Sequence, residues 1–418
     1  MRPQRTSCRM VSIAAAAALV LTASACSSGG GASGKTAVAS GPVKIGLLLE
    51  LTGELGSFGK PWEESMELAR DEINASGALP GGAKIETIVE DGRTDAQVAV
   101  EAAHKMIDAQ KVSAILGPSS GPMVALAPLV KRSQVILISP AAGTVALNKL
   151  GGDFVFRTVA SDDSDGKAMA KFLPEKKATN IGLLVQNEES TLSPAEVFRR
   201  TFESGGGKIA SSVTYNPKQS SYRTEIQQVL GAKPEWLVCA CGQQSGVTII
   251  RQAAAAGYKG KWLVTADIIT PEAIKNVGAD IMEGVYGEVA SSDDSLEPYK
   301  RLATAYKQRF GADLYPFNAN AYDAMILVGL AMVAAGGTSG ADINGKIREV
   351  AGPPGKRVTT FADGVAALKA GEDIDYDGAS GPVNLDATGS ATSPYSIQQV
   401  THGEWKQVQF YPADQFTG

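Results

Sequence analysis

Four short loops in this sequence place hydroxyl, backbone N–H and carboxylate groups where they can grip a small polar solute. The first is Gly117-Pro-Ser-Ser-Gly-Pro122, in which Ser119 and Ser120 fall at a helix capping position and Pro122 just inside the helix. Free N–H groups and the positive end of the helix dipole favour an anion there, and a serine hydroxyl adds a donor. The same serine would also serve as the cap of its own helix. The second loop, Ser139-Pro-Ala-Ala-Gly-Thr144, offers the backbone of Ala141 without side-chain bulk and the hydroxyl of Thr144. Pro140 and Gly143 alone would account for it as a turn. The third is Val264-Thr-Ala-Asp-Ile268, with Asp267 just past an apolar run. A carboxylate there can hold an ammonium group; Thr270 is better placed than Asp267 to cap the helix that Pro271 opens. In the fourth, Ser57-Phe-Gly59, Phe58 packs either on the apolar part of a ligand or in the core.

These loops follow short apolar runs that alternate with helical patterns. Lys44 to Leu49 is a continuous apolar stretch after the lysine, as expected of a strand buried on both faces. Pro61 then opens a helix with Trp62, Met66, Ala69 and Ile73 on one face and Gly77 at its end. Strands are expected at 85–90, 113–117 and 135–138, with a helix capped by Asp95 and another starting near Gly121-Pro122. The alternation restarts with strands at 181–185, 208–215, 236–241 and 262–265, and helices at 194–202, 222–230, 247–256 and 271–277. Further helices are expected at 296–310 and 318–335, then a mixed C-terminal section. Repeated β-α units predict an α/β fold of two lobes, each a parallel-type sheet with helices on both faces, around a central cleft. Ligands in such sheets sit outside the carboxyl ends of the strands.

Composition narrows the function. The chain has 418 residues, a formal charge of −5 and only 2 histidines. A near-balanced, slightly acidic chain does not suit a nucleic-acid binder that relies on a basic face. His104, in a helix, and His402, in a turn, have no evident nucleophile partner, and neither a metal-ligand cluster nor a phosphate-loop motif is present. No cofactor is expected, and the chain reads as a binder, not an enzyme. The first 25 residues carry Arg2, Arg5 and Arg9 before the apolar run 11–21 and the small residues Thr22 to Ala25, the layout of an export signal. Ala23-Ser-Ala-Cys26 resembles a bacterial lipobox, with alanine in place of the usual leucine, which would make Cys26 a lipid attachment site. The Gly/Ser-rich residues 27–34 suit a flexible tether, here 26–41, holding the chain to the outer face of the cell membrane. Cys239 and Cys241 lie two apart in an apparent buried strand, with Cα atoms expected about 6.6 Å apart. That is near the upper limit for a disulfide, so two small buried thiols are expected.

Taken in order, Ile45 to Gly53, Ser57-Phe-Gly59, Glu67 to Gly77, Asp91 to Asp95, Gly117 to Pro128, Ser139 to Thr144, Asn320 to Ala324 and Asp375 to Pro382 resemble the type I periplasmic substrate-binding proteins of ABC transporters, in the leucine/isoleucine/valine-binding group. The resemblance implies two hinged lobes joined by three crossovers: 42–158 plus about 290–372, and 159–289 plus about 373–418. It implies a monomeric solute receptor that serves a membrane permease and its ATPase, or a sensor signalling to a membrane partner. It assigns Ser120, Ala141 and Thr144 to the α-carboxylate and ammonium of an amino acid, and Asp267 to the ammonium from the other lobe. The group's usual tyrosine-glycine pair is missing from 186–193, and its frequent tyrosine is missing from Gly242-Gln-Gln-Ser245. Gln243, Gln244 and Tyr286 are therefore candidate polar contacts, and the ligand is expected to be an amino acid, an amide or another small polar solute.

Overall fold

The computed structural model describes residues 41–416; the expected export signal, Cys26 and nearly all of the expected tether lie outside the described residues. The first sheet is formed by β1 (Val43–Leu49), β2 (Ile85–Asp91), β3 (Ala114–Leu116), β4 (Ile136–Ser139) and β5 (Val155–Arg157), all parallel, in the order β2-β1-β3-β4-β5. The second contains β6 (Asn180–Gln186), β7 (Lys208–Tyr215), β8 (Trp236–Ala240), β9 (Lys261–Val264) and β10 (Tyr286–Ala290). A small third sheet joins β11 (Lys356–Val358), β12 (Ile374–Gly378) and β13 (Gly381–Pro382). The chain then returns to the second sheet, where β14 (Tyr395–Thr401) runs antiparallel to β10, and β15 (Glu404–Tyr411) antiparallel to β14. The resulting order is β15-β14-β10-β9-β8-β6-β7. This is the expected α/β architecture, with an antiparallel edge added by the C-terminal hairpin.

Each large sheet buries both faces, which is why its central strands read as apolar runs instead of alternating. On one face of the first sheet, Ile45, Leu47 and Leu49 meet Trp62, Met66 and Ile73 of the helix Gly56–Ser76; on the other, Leu48 meets Ala99, Met106 and Leu126. The helix Asn318–Ala335 is buried almost all round in the first of these cores, which explains an apolar length that would suffice to cross a membrane. The second sheet is covered by Phe172, Phe198 and Phe202 on one side, and by Ile226, Ile249 and Ile274 on the other.

Several expectations change. The helix expected to open at Pro61 begins at Gly56, so the proline lies inside it and only the carbonyl four residues back loses its partner. Residues 374–391, including Tyr376, Val383 and Ala391, pack into the first core, so the final crossover lies just before Tyr395 and not at 373. Strand β5 and a helix at Asp162–Glu175 were not expected at all. Cys239 and Cys241 form a disulfide, with Cα atoms 5.2 Å apart. The spacing is shorter than in a flat strand because β8 ends at Ala240 and Cys241 already belongs to the turn.

Three connections run between the sheets, and they are tied to one another. Thr158 donates to the carbonyl of Asn320 at 2.9 Å, and the Asn320 amide returns a bond to Thr158 O at 2.5 Å. Ala160 N donates to Ser393 Oγ at 3.1 Å, and Ser291 N to the carbonyl of Pro394 at 2.9 Å.

Candidate functional site

The carboxyl ends of β1, β3 and β4 face those of β6 and β9 across a small cavity with a volume of about 60 Å³. From the first lobe, Leu55, Phe58, Trp62, Ser119, Ser120, Ala141 and Gly143 line it; from the second, Ser190, Pro194, Thr265, Ala266 and Asp267; Asp162, Asp165 and Phe317 come from segments next to the crossovers. Phe58 and Trp62, each 1% exposed, have ring centroids 5.7 Å apart, and Phe317 meets Trp62 edge-on at 6.3 Å. The lining thus combines aromatic side chains with three carboxylates.

The loops are built from within. Gly117 takes a positive φ of 109°, and a Cβ there would lie 2.5 Å from the Leu49 side chain, so only glycine turns the chain this tightly into the helix Ser120–Ser133. Glu50, 1% exposed, sits against the start of that helix and accepts from Ser119 N at 3.0 Å, Ser119 Oγ at 2.7 Å and Thr94 N at 2.5 Å. Burial pushes its carboxyl up, and these three bonds oppose the shift. Ser119 is thus occupied by Glu50; Ser120 and the first-turn N–H groups are the donors this helix offers the cavity. Ser139 Oγ donates to Pro118 O at 2.7 Å and accepts from Ala141 N at 3.2 Å and Ala142 N at 2.9 Å. Ala141 therefore lines the cavity, but its N–H is spent on its own loop.

Phe58, Ser119, Ser120, Ala141 and Asp267 are brought together as expected; Thr144, Gln243 and Tyr286 are not among the lining residues. Thr144 is fully buried and donates to Glu189 Oε1 of the opposite lobe at 2.5 Å. Gln243 has both ends of its amide engaged, accepting from Ser57 Oγ at 2.7 Å and donating to Thr270 Oγ1 at 2.6 Å. Tyr286 packs beneath the second sheet on Phe172 and Trp236, with centroids 5.2 and 5.5 Å away. Thr144 and Gln243 tie the two lobes together. Gln244 Nε2 bonds Gly53 O at 2.7 Å, Glu54 accepts from Ser245 N at 3.1 Å, and Val145 N donates to Ser193 Oγ at 3.0 Å. This is a closed cleft.

Sequence reasoning missed the carboxylates beside the crossover. Asp162 and Asp165 occupy the first turn of the helix Asp162–Glu175, whose N-cap Ser161 accepts from Asp163 N. Serine followed by three acidic residues within four is a helix-start signal, and it went unread because the expected second unit began only near 181. Burial raises the Asp162 carboxyl well above the usual range, with Asp165 adding to the shift. Burial likewise pushes Asp165 up to about 7, and Asp267 up to about 7 with Glu54 contributing. Glu288 on β10 lies within hydrogen-bonding reach of Asp165 and is also driven well up by burial. Two facing carboxyls in one buried space hold a proton between them. No lysine or arginine lines the cavity. Arg157, the nearest buried cation, spends its guanidinium on Gly143 O at 2.6 Å, Thr144 O at 2.9 Å, Ser390 Oγ at 2.6 Å and Asn148.

A two-lobed α/β architecture with a closed cleft at the strand ends defines a binding-protein class, and comparison with known proteins agrees. Residues 42–404 match the family model described as periplasmic binding protein. The chain belongs to that family. It is 24% identical over 375 residues to the chemotactic signal transduction system substrate-binding protein BasB of Halobacterium salinarum, covering 87% of this chain and 88% of that one. Its fold is shared with the leucine-binding protein LivK of Thermotoga maritima, with TM-score 0.77 and 23% identity, covering 89% of this chain and 99% of that one. A solute-binding protein of an ABC transporter from R. palustris, solved with benzoate, has TM-score 0.75 and 17% identity, covering 89% and 97%.

Proposed function

We propose that this protein is the exported solute receptor of an ABC importer and closes its two lobes on a small solute bearing an amino group. The observation that carries the ligand class is the charge of the cavity: Asp162, Asp165 and Asp267 line it, and no lysine or arginine does. A buried carboxylate costs free energy unless a counter-charge arrives, and an ammonium group supplies one while donating hydrogen bonds. Phe58 and Trp62 line the same cavity, and aromatic rings suit both a cation and the carbon chain behind it. An aromatic acid such as benzoate lacks a positive group, and Glu50 already occupies part of the helix start where its carboxylate would dock. Phe58, Ser120 and Asp267 are assigned to ligand contact, and Thr144 and Gln243 to holding the lobes shut.

Closure follows from contact with both lobes: a solute that touches Ser120 and Asp267 together does so only in the closed form, so binding shifts the population there. The reading is of a receptor, not an enzyme, tethered through a lipid on Cys26 at the outer face of the membrane and working as a monomer with a permease and ATPase. A thermal-shift screen against amino acids, amines, amides and small acids tests it, since a ligand at 100 times its Kd stabilises by about 2.7 kcal/mol. Stoichiometric, saturable binding without turnover is expected; conversion of any probe would contradict the assignment. The similarity to BasB supports a second reading, in which the closed form signals to a membrane partner. Retention of solute uptake when only the permease genes are deleted would favour that sensor.

A further inference from the structure

We infer that the solute carries two separate basic nitrogens, one held by Asp267 and the other between Asp162 and Asp165, as in a basic amino acid or a diamine. The inference rests on the receptor reading above and names its ligand more narrowly. A single α-ammonium group would be matched by Asp267 alone, the carboxylate just past the end of β9. Asp162 and Asp165 come from a different element, the first turn of the helix Asp162–Glu175, so they form a second acceptor group on the same cavity.

The side chains themselves point to a missing partner. Asp162 is only 6% exposed, lines the cavity, and its Oδ2 accepts no hydrogen bond; Asp165, which faces Glu288, lines the cavity beside it. Buried acceptors are nearly always satisfied, and this one belongs to a residue that lines the space where a ligand sits. Arg157 stands near Asp162 and favours its charged form, but its guanidinium donates to carbonyls, Ser390 and Asn148 and to neither aspartate. Among the described residues no group of three His, Cys, Asp or Glu is arranged to hold a metal ion. Two ammonium or guanidinium ends linked by a short carbon chain, with the chain against Phe58 and Trp62, satisfy the acceptors and the apolar wall together once the lobes part enough to widen the cavity of about 60 Å³.

Titration calorimetry of the purified protein at pH 8 with L-lysine, L-arginine, 1,4-diaminobutane, L-leucine and benzoate tests this. At least one probe with two basic nitrogens is expected to bind one to one, tenfold or more tighter than L-leucine. In Asp165→Asn and Asp162→Asn that preference should shrink to within about threefold while L-leucine binding changes little. L-Leucine binding as tightly as every two-nitrogen probe would overturn the inference and leave the amine receptor standing. Benzoate binding alone, or no binding by any probe, would overturn both.

Discussion

Asp267 concentrates the chemistry of the site in one side chain. It stands past the end of β9, faces the cavity and is pushed up to about 7 by burial, with Glu54, Glu188 and Asp162 adding their charges. Replacing it with asparagine removes a charge-assisted hydrogen bond, which should weaken an amino-bearing ligand about 10- to 100-fold by calorimetry. In the ligand-free protein the same change removes a costly buried charge, so the melting temperature at pH 8 should hold or rise. A fall in both would mean that Asp267 serves the fold. This residue was legible in the sequence because it follows an apolar strand and a better cap, Thr270, stands nearby; Thr270 does accept from Ala273 N. Gln243 was misread for a reason equally local. Its polar amide stands just past a strand end, but whether it turns to the cavity or to Ser57 is set by how the two lobes meet, which no single loop encodes.

At the scale of elements, most strands and helices were readable from apolar runs and caps: Asp95 accepts from Gln97 N and Val98 N, and Gly77 ends the first helix with φ 60°. What escaped was the helix Asp162–Glu175, whose apolar residues Ala168, Met169, Phe172 and Leu173 follow an acidic, serine-rich start that reads as a linker. Two of the three carboxylates of the cavity therefore escaped with it. The C-terminal hairpin was equally hidden, since the antiparallel addition of β14 to β10 depends on a partner more than a hundred residues away. The elements on either side of the cleft meet at Ser57 and Gln243, at Glu54 and Ser245, and at Thr144 and Glu189. Gln243→Ala removes the first contact without touching the cavity, so ligand affinity should fall about 3- to 10-fold, mostly through faster dissociation in stopped-flow. Ser161→Ala removes the N-cap acceptor of the helix carrying Asp162 and Asp165 and should cost about 1 kcal/mol of stability by denaturant titration.

The whole molecule gathers carboxylates in its closed cleft, and pH reads them out. Asp165, Asp267 and Glu188 each have a folded value of about 7 against reference values of 3.8, 3.8 and 4.5, raised chiefly by burial. Around them stand Glu54, Asp162 and Glu288, with Arg157 facing Asp162 and Lys218 facing Glu188. The folded state therefore holds more protons than the unfolded one between about pH 4 and 7, and ligand-free stability falls as pH rises through that window, then levels off. A cation bound among these groups favours their ionised form, so its affinity should rise over the same window; a melting series from pH 5 to 8, with and without L-lysine, checks both slopes. The most direct test of the account compares an amino-bearing solute with its N-acetyl derivative by calorimetry at pH 8, using L-lysine and Nα,Nε-diacetyl-L-lysine. The free amine should bind one to one and the acetylated form at least a hundredfold more weakly; equal binding of the two, or binding of the acetylated form alone, would contradict an amine-recognising cleft.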